Sequence, residues 1–220
     1  MMKLTNKSVL VLGLGETGLS LVRWLSAQGA RVRAADSRDL PPSLDVLRTQ
    51  LPETELHCGM FRGELLNDID LIAISPGIPL NNQFVVQAAA RGIPIMGDIE
   101  LFAQSLPQDR LPKIIAITGA NGKTTVTSMV GAMCRAAGLD TEVAGNISPA
   151  VLDVLLQRQG QQPDVWVLEL SSFQLEITSS LSADAATVLN ISEDHLDRYS
   201  DINEYICLLY TSPSPRDRTR

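Results

Sequence analysis

Cysteine and histidine are scarce in this sequence, and their scarcity excludes several kinds of site. The three cysteines, Cys58, Cys134 and Cys207, lie far apart and form no CxxC pair, so neither a disulfide framework nor a zinc cluster is indicated. Widely spaced thiols of this kind are typical of a reduced, cytoplasmic protein. His57 is a lone histidine outside any motif, and we expect it to be structural or solvent-exposed.

The sequence also has no long apolar segment and no block of basic residues. The apolar stretch near the N-terminus is interrupted by Gly13, Gly15, Glu16 and Gly18, and no signal-peptide cleavage site follows it. No segment reaches the length of a transmembrane helix. The formal net charge of −7 disfavours nucleic acids and membrane surfaces as partners. We therefore expect a cytoplasmic protein without membrane insertion or nucleic-acid binding.

Short apolar runs that alternate with helical patterns make up most of the chain. At 220 residues and 45% hydrophobic composition, it is long enough for one large or two modest domains. The candidate strands are Val9–Gly13, Val32–Asp36, Leu71–Ser75, Ile93–Met96, Ile114–Thr118, Glu142–Ala144, Val165–Leu170 and Thr187–Ile191. The candidate helices include Thr17–Gln28, Gln83–Ala90, Lys123–Ala137, Pro149–Arg158 and Ser171–Ser179. This alternation predicts an α/β fold with parallel sheets.

A polar segment with a proline near each end, LPQDRLP at Leu106–Pro112, indicates a linker between two α/β units. We predict a Rossmann-like parallel-sheet domain at residues 1–97. A partial α/β domain of the P-loop ATPase type is predicted to follow at residues 98–206. The end of the chain, Tyr210–Arg220, is polar and has no periodicity, so residues 207–220 are predicted to be a disordered tail.

The strongest local signal is the string TGANGKTT at Thr118–Thr125, which we call the phosphate loop. Its glycines allow backbone N–H groups to wrap a polyphosphate, and the helix that follows adds its positive end. Lys123 would neutralise the β- and γ-phosphates of ATP, and the Thr124 hydroxyl would bind Mg²⁺. The spacing differs from GxxxxGK[ST], because Ile117 stands where the first glycine would be. The predicted ATP-binding residues are Gly119, Asn121, Gly122, Lys123, Thr124 and Thr125.

Two further polar residues follow candidate strands downstream of the phosphate loop. Glu169 interrupts an apolar strand near its C-terminal end, where ligands bind in open α/β sheets. A buried carboxylate is costly unless it is paired or metal-bound, so beside a phosphate loop we predict Mg²⁺ binding. His195 follows a strand among carboxylates, which favours a metal or phosphate contact there as well.

A second glycine turn, G-x-G-x-x-G at Gly13–Gly18, follows the first candidate strand. With Asp36 at the end of the next strand, the pattern is typical of a dinucleotide-binding turn whose acidic residue contacts a ribose. By itself it indicates only that a pyrophosphate suits the helix N-terminus. The phosphate loop farther along the chain makes an NAD-dependent dehydrogenase the weaker alternative.

Taken together, these residues resemble the Mur ligase family of bacterial cell-wall synthesis. The strings that carry the resemblance are GLGETGLS (Gly13–Ser20), ADSR (Ala35–Arg38), SPGIP (Ser75–Pro79), GDIELF (Gly97–Phe102), TGANGKTT, AGNI (Ala144–Ile147), LELSSFQLE (Leu168–Glu176) and LNISEDHLDRY (Leu189–Tyr199). The resemblance covers about Val9–Tyr205. Within the family, GDIELF and LELSSFQLE favour the members that add D-glutamate.

The resemblance implies that the first domain binds the UDP end of a substrate and the second binds ATP. The implied substrate contacts are Thr17, Asp36, Ser37, Arg38, Ser75, Pro76 and Gly77, with Asn146, Ser171 and Gln174 around the reacting group. Lys123 and His195 are the implied catalytic residues. The implied Mg²⁺ ligands are Thr124 and Glu169 at one ion and His195 at a second.

The implied reaction joins D-glutamate to UDP-N-acetylmuramoyl-L-alanine with ATP, in the synthesis of peptidoglycan precursors. The alanyl carboxylate attacks the γ-phosphate to give an acyl phosphate and ADP, and the amine of D-glutamate then displaces phosphate. Lys123 and Mg²⁺ would offset the charge of the two anions that meet in the first step. The implied partners are these two substrates, and the full-length enzyme is expected to be a cytoplasmic monomer that serves cell-wall growth and cell division.

The sequence departs from the family pattern after the last of these strings. The family carries a lysine in the following helix, carbamylated toward the second metal, whereas no lysine occurs here after Lys123. We therefore expect a front fragment of such a ligase that is inactive by itself, with residues after about 206 foreign to the family. The alternative is a module that binds a UDP-sugar without catalysis.

Overall fold

The computed structural model describes residues 3–107, 111–192 and 202–211. The chain divides into two compact units, of which the first ends at Asp98 and the second begins at Ile99. In each unit parallel strands form one sheet, as the alternation of apolar runs and helical patterns predicts. None of the helices in these ranges is long and apolar enough to cross a bilayer.

A five-stranded sheet forms the centre of the first unit. Its elements are β1 (Ser8–Leu12), α1 (Glu16–Ala27), β2 (Arg31–Asp36), α2 (Leu44–Gln50), β3 (Glu55–Cys58), a 3-10 turn (Gly63–Leu66), β4 (Leu71–Ile74), α3 (Gln83–Ala90) and β5 (Ile95–Met96). The strands are parallel in the order β3-β2-β1-β4-β5. The strand order reverses beside β1, and the C-terminal end of β1 is therefore where such sheets bind ligands.

A four-stranded parallel sheet forms the centre of the second unit. The elements after β5 are α4 (Asp98–Ser105), β6 (Lys113–Thr118), α5 (Lys123–Ala136), β7 (Thr141–Gly145), α6 (Val151–Gln157), β8 (Val165–Glu169), α7 (Ser172–Leu175), β9 (Ala185–Val188) and α8 (Ile202–Thr211). The order β7-β8-β6-β9 places β6 between β8 and β9. The phosphate loop, which follows β6, thus lies between the ends of two neighbouring strands.

Continuous burial explains the strands nearest the centre of each sheet. Residues Val9–Leu12 of β1 and all of β8 are buried, as parallel strands covered by helices require. In the second unit the indole of Trp166 packs edge-on against the ring of Phe102, with centroids 4.9 Å apart and planes at 73°. This aromatic pair joins α4 to β8 within the core.

Every predicted strand and helix is present, with ends displaced by a few residues. The candidate strands and helices did not include β3, α2, α4 or α8. Most of β3 is exposed at the sheet edge, so no apolar run marks it. Helix α7 is shorter than predicted: the N–H groups of Ile177 and Thr178 bond the carbonyls three residues back instead of four. Ser179 and Ser180, at the end of the expected helix, donate their backbone N–H groups to the Glu100 carboxylate.

Helix α8 ends at Thr211, although residues 207–220 are predicted from sequence to be a disordered tail. The prediction is therefore wrong for residues 207–211. Tyr205 and Leu209, one helical turn apart, are both buried, and the helix packs against α7. This short apolar stripe stabilises helix at residues that we had assigned to the tail. The prediction for residues 212–220 lies outside the described residues.

Candidate functional site

The phosphate loop connects β6 to α5 at the C-terminal edge of the second sheet. Gly119 and Gly122 have φ values of +140° and +81°, which residues with a Cβ rarely adopt. Gly122 is the N-cap of α5, so the helix begins at Lys123. The first N–H groups of the helix have no acceptor within it and, with the helix dipole, attract anions. The loop therefore has the backbone shape of a phosphate site.

The ammonium group of Lys123 lies back over this loop. Its Nζ donates to the carbonyl oxygens of Gly119 at 2.7 Å and Ala120 at 3.0 Å. If the Lys123 side chain rotated, its Nζ could donate to phosphate oxygens instead of these carbonyl oxygens. Thr124 and Thr125 are exposed in the first turn of α5, so their hydroxyls are accessible to a ligand bound at the loop.

Glu169 is the last residue of β8, which ends beside the phosphate loop. Its register partner in β6 is Ile117, next to the first residue of the loop. Glu169 is 2% exposed, and its Oε1 accepts a hydrogen bond from Asn146 Nδ2 at 2.8 Å. Its Oε2 is buried without a hydrogen-bond partner among the described residues. Because a buried acceptor without a donor is costly, a cation fits this position.

The predicted Mg²⁺ ligands are brought together only in part. Glu169 is the last residue of β8, and Thr124 lies in the helix after the adjacent strand β6, whereas His195 lies outside the described residues. Within the described ranges, no group of three or more His, Cys, Asp or Glu side chains is placed to hold a metal ion. One carboxylate and one hydroxyl suit Mg²⁺, because this ion usually keeps several water or phosphate ligands.

The predicted contacts around the reacting group follow the C-terminal ends of the adjacent strands β7 and β8. Asn146 follows β7, and its backbone N–H donates to the carbonyl oxygen of Glu169 at 2.8 Å. Ser171 and Gln174 form a capping box at the start of α7, with bonds of 3.2 Å from Gln174 N to Ser171 Oγ and 3.1 Å from Ser171 N to Gln174 Oε1. Both residues thus initiate a helix, and their contact with substrate stays a prediction.

In the first unit, the buried carboxylate of Asp36 is surrounded by hydrogen-bond donors. It accepts from Leu14 N at 2.7 Å, and from N, Nε and Nη2 of Arg38 at 2.9, 2.8 and 2.6 Å. Burial by itself would raise the pKa of Asp36, but the bonds from the Arg38 side chain and from both backbone N–H groups hold this pKa below its ordinary value. A carboxylate bonded in this way is poorly placed to contact a ribose, which disfavours the dehydrogenase alternative.

The other predicted UDP contacts surround the C-terminal end of β1. Thr17 lies in the first turn of α1, and Ser37 directly follows β2. Ser75, Pro76 and Gly77 follow β4, and Ser75 N donates to the carbonyl oxygen of Leu12 at 2.9 Å. Because β2 and β4 flank β1, all these residues lie at one edge of the sheet.

Asn190 contacts the phosphate loop from the β9 side, and the sequence analysis assigned it no role. Its carbonyl oxygen accepts from Ala120 N at 3.1 Å. Its side-chain Oδ1 accepts from Asn121 N, and its Nδ2 donates to Asn121 O, both at 2.8 Å. The available sequence signal was its position near the end of a predicted strand, in the string LNISEDHLDRY.

Both units match known protein families. Residues 7–97 match the family model of the Mur ligase MurD-like N-terminal domain, and residues 117–208 match that of the Mur ligase middle domain. The chain is 56% identical over 208 residues to the UDP-N-acetylmuramoylalanine–D-glutamate ligase of Nitrosospira multiformis and 53% identical over 206 residues to that of Chromobacterium violaceum. Each match covers 93% of this chain but only 44% and 45% of the relative, so the chain spans less than half their length.

Solved structures with the same fold include two other ligases. One is the UDP-N-acetylmuramate:L-alanyl-gamma-D-glutamyl-meso-diaminopimelate ligase from Neisseria meningitides, with a TM-score of 0.57, 20% identity and coverage of 93% of this chain and 68% of that one. The other is the UDP-N-acetylmuramate-alanine ligase MurC from Thermotoga maritima, with a TM-score of 0.56, 18% identity and coverage of 94% and 47%. At these identities the likeness establishes the fold.

Proposed function

The chain belongs to the Mur ligase family, and on that premise we propose that it is the front part of an ATP-dependent ligase that joins D-glutamate to UDP-N-acetylmuramoyl-L-alanine. The observation that carries the proposal is the buried Oε2 of Glu169, which has no donor in the part of the chain that the structure describes and lies beside a phosphate loop. The carboxylate suits a divalent cation and the loop suits phosphates, so together they suit a nucleoside triphosphate bound with a divalent cation. The relatives that bear this enzyme's name match the chain across both units.

ATP is proposed to bind at the start of α5. The N–H groups of its first turn would receive the phosphates, and Lys123 would turn from the carbonyls of Gly119 and Ala120 to the β- and γ-phosphates. Thr124 and Glu169 would hold Mg²⁺, which neutralises phosphate charge and polarises the γ-phosphoryl group when bound. Lys123 would contribute the second cation at the same phosphates.

The UDP end of the other substrate is proposed to bind at the first sheet, beside the Gly13–Gly18 turn. The Arg38 side chain is 52% exposed, and its guanidinium is oriented by the buried Asp36 carboxylate. A planar guanidinium held in this way suits the oxygens of a diphosphate. Thr17 and Ser75 would add hydroxyl donors at the same edge.

The proposed chemistry forms one amide bond and cleaves one ATP. The alanyl carboxylate attacks the γ-phosphorus, the bond to the β-phosphate oxygen breaks, and ADP leaves. The amine of D-glutamate then attacks the acyl carbon, phosphate leaves and the nitrogen loses a proton. The first step brings two anions together, so we expect the Lys123 ammonium to act mainly there.

Calorimetric titration of the 220-residue chain tests both binding sites. We expect UDP to bind, and ATP to bind in the presence of Mg²⁺. Arg38→Ala should weaken UDP binding alone and Lys123→Ala should weaken ATP binding alone, so that each variant controls for the other. UDP binding without ATP binding would favour the non-catalytic UDP-sugar module. Binding of NAD but not of UDP would refute the proposal.

A further inference from the structure

The parallel pairing of β6 with β9 continues beyond both strands into the phosphate loop. Leu189 N donates to Thr118 O at 2.9 Å, and Ala120 N donates to Asn190 O at 3.1 Å. The Asn190 side chain then bonds both the N–H and the carbonyl of Asn121 at 2.8 Å. One residue therefore fixes the backbone of two successive loop residues.

The first glycine of the loop is in close contact with the same residue. A Cβ placed on Gly119 would lie 3.1 Å from both the backbone N and the backbone O of Asn190, and 3.2 Å from Leu189 Cβ. These distances are shorter than ordinary contacts between a Cβ and backbone atoms. The loop therefore rests directly on the chain that follows β9.

These contacts divide the loop's donors into two groups. The N–H groups of Ala120 and Asn121 are occupied by Asn190. The N–H groups of residues 122–125 precede the first helical bond, which runs from Val126 N to Gly122 O, and they have no acceptor within α5. The Lys123 ammonium is bonded to the carbonyls of Gly119 and Ala120. When Lys123 turns toward phosphate, those two carbonyls lose their donor. The bonds to Asn190 then remain to hold this part of the loop.

We propose that Asn190 is a positioning residue for the nucleotide site, which holds Ala120 and Asn121 in place while Lys123 moves from the loop carbonyls to phosphate. The inference rests on the proposed function, in that it assumes ATP as the ligand of the loop. Asn190 would not contact ATP itself. It would act by keeping the helix N-terminus and Lys123 in the geometry that receives the phosphates.

The test is ATP affinity in a double-mutant cycle of Asn190→Ala and Lys123→Ala, measured by calorimetry in Mg²⁺. We expect Asn190→Ala to weaken ATP binding about tenfold, the effect of losing two neutral hydrogen bonds. UDP binding by the first unit should be unchanged. The effects of the two substitutions on ATP affinity should be non-additive. Asn190 acts partly by positioning Lys123, so once Lys123 is removed, replacing Asn190 costs less ATP affinity. Additive effects would show that Asn190 acts independently of Lys123 and would overturn the inference.

Thr187→Ala is the matched control, because Thr187 is exposed on β9, the strand that precedes Asn190. This variant should bind ATP like the unmodified chain. If Asn190→Ala does not fold, Asn190→Asp provides the second variant. It keeps an acceptor for Asn121 N–H but sets a carboxylate oxygen against the Asn121 carbonyl, so it should also weaken ATP binding. Unaltered affinity in a folded Asn190 variant would refute this inference alone, whereas no ATP binding by the unmodified chain would refute the proposed function and this inference with it.

Discussion

Asp36 and Arg38 are joined side by side by two hydrogen bonds, 2.8 Å from Nε to Oδ1 and 2.6 Å from Nη2 to Oδ2. The Asp36 side chain is 3% exposed, whereas the Arg38 side chain is 52% exposed. Asp36 therefore acts as a buried anchor that orients an exposed cation. The Asp36 carboxylate also accepts from the backbone N–H groups of Arg38 and Leu14, and the bond from Leu14 connects it to the glycine turn after β1. One acidic residue thus connects two parts of the proposed UDP site.

Asp36→Asn should weaken UDP binding although Asp36 need not contact the ligand. An asparagine can still accept from Leu14 N, but it cannot accept both bonds from the guanidinium. We expect about a tenfold loss of UDP affinity and a loss of about 2 kcal/mol in the free energy of unfolding of the first unit. Calorimetry and urea unfolding followed by Trp24 in a Trp166→Phe background would measure the two effects. Arg38→Lys keeps the charge but not the planar guanidinium with its paired N–H donors, and it should weaken UDP binding similarly. Full UDP affinity in Asp36→Asn would contradict the proposed orienting role of Asp36.

Glu100→Gln should remove an acid-sensitive part of the stability of the second unit. The Glu100 carboxylate is 4% exposed and accepts from the backbone N–H groups of Ser179 and Ser180. Burial would raise its pKa, but bonds from Ser180, Ser179 and Gln104 lower the pKa below its ordinary value. A carboxylate with a lowered pKa in the folded state stabilises the fold above its unfolded pKa of about 4.3, and this contribution is lost as pH falls through the folded pKa.

We therefore expect Glu100→Gln to cost about 2 kcal/mol near neutral pH and progressively less in acid. Urea unfolding between about pH 6 and pH 3, followed by Trp166, would measure this dependence. Trp166 suits the purpose because it packs against Phe102 in the same helix as Glu100. Glu64→Gln removes an exposed carboxylate and should have no effect. An equal loss of stability at every pH would argue against the charge of Glu100 as the cause.

Glu169→Gln should separate stability from metal-dependent binding. Because Oε2 of Glu169 is buried with no donor from residues 3–107, 111–192 or 202–211, removing the charge should leave the unfolding temperature unchanged or raise it. The same change should raise the Mg²⁺ concentration needed for ATP binding about tenfold or more. Thermal unfolding and Mg²⁺ titration at fixed ATP would test both effects, with Glu142→Gln on the neighbouring strand as control. Unchanged Mg²⁺ dependence in Glu169→Gln would exclude this carboxylate from the metal site.

The strands and the phosphate loop could be predicted from local patterns, whereas hydrogen bonds between residues distant in sequence could not. Apolar runs and glycine spacing are properties of short segments, so β6 and the loop after it could be predicted directly. The bonds of Asn190 to Asn121 and of Glu100 to Ser180 join residues far apart in the chain. They depend on strand order and loop paths, which a single sequence does not specify. Asp36 was predicted at the correct edge of the first sheet. That its carboxylate accepts hydrogen bonds from Leu14 and Arg38 could be seen only in the structure.

Gly119→Ala should impair the phosphate loop more than Gly122→Ala. Both glycines have positive φ, so an alanine at either position is strained by about 1–2 kcal/mol. A Cβ at Gly122 has Leu189 Cδ1 at 4.0 Å as its neighbour, which is an ordinary contact. A Cβ at Gly119 lies 3.1 Å from the backbone N and O of Asn190, and backbone atoms cannot move aside by rotation.

The loop in Gly119→Ala must therefore shift away from Asn190, which weakens the bonds that hold Ala120 and Asn121. We expect ATP affinity to fall at least tenfold further in Gly119→Ala than in Gly122→Ala, roughly the effect of 1.4 kcal/mol of additional strain or lost hydrogen bonding. Calorimetry in Mg²⁺ would measure both affinities, with UDP binding as the check that the first unit is intact. If the order were reversed, the contact between Gly119 and Asn190 would not control the loop, and positive φ at the helix N-cap would be the more important requirement.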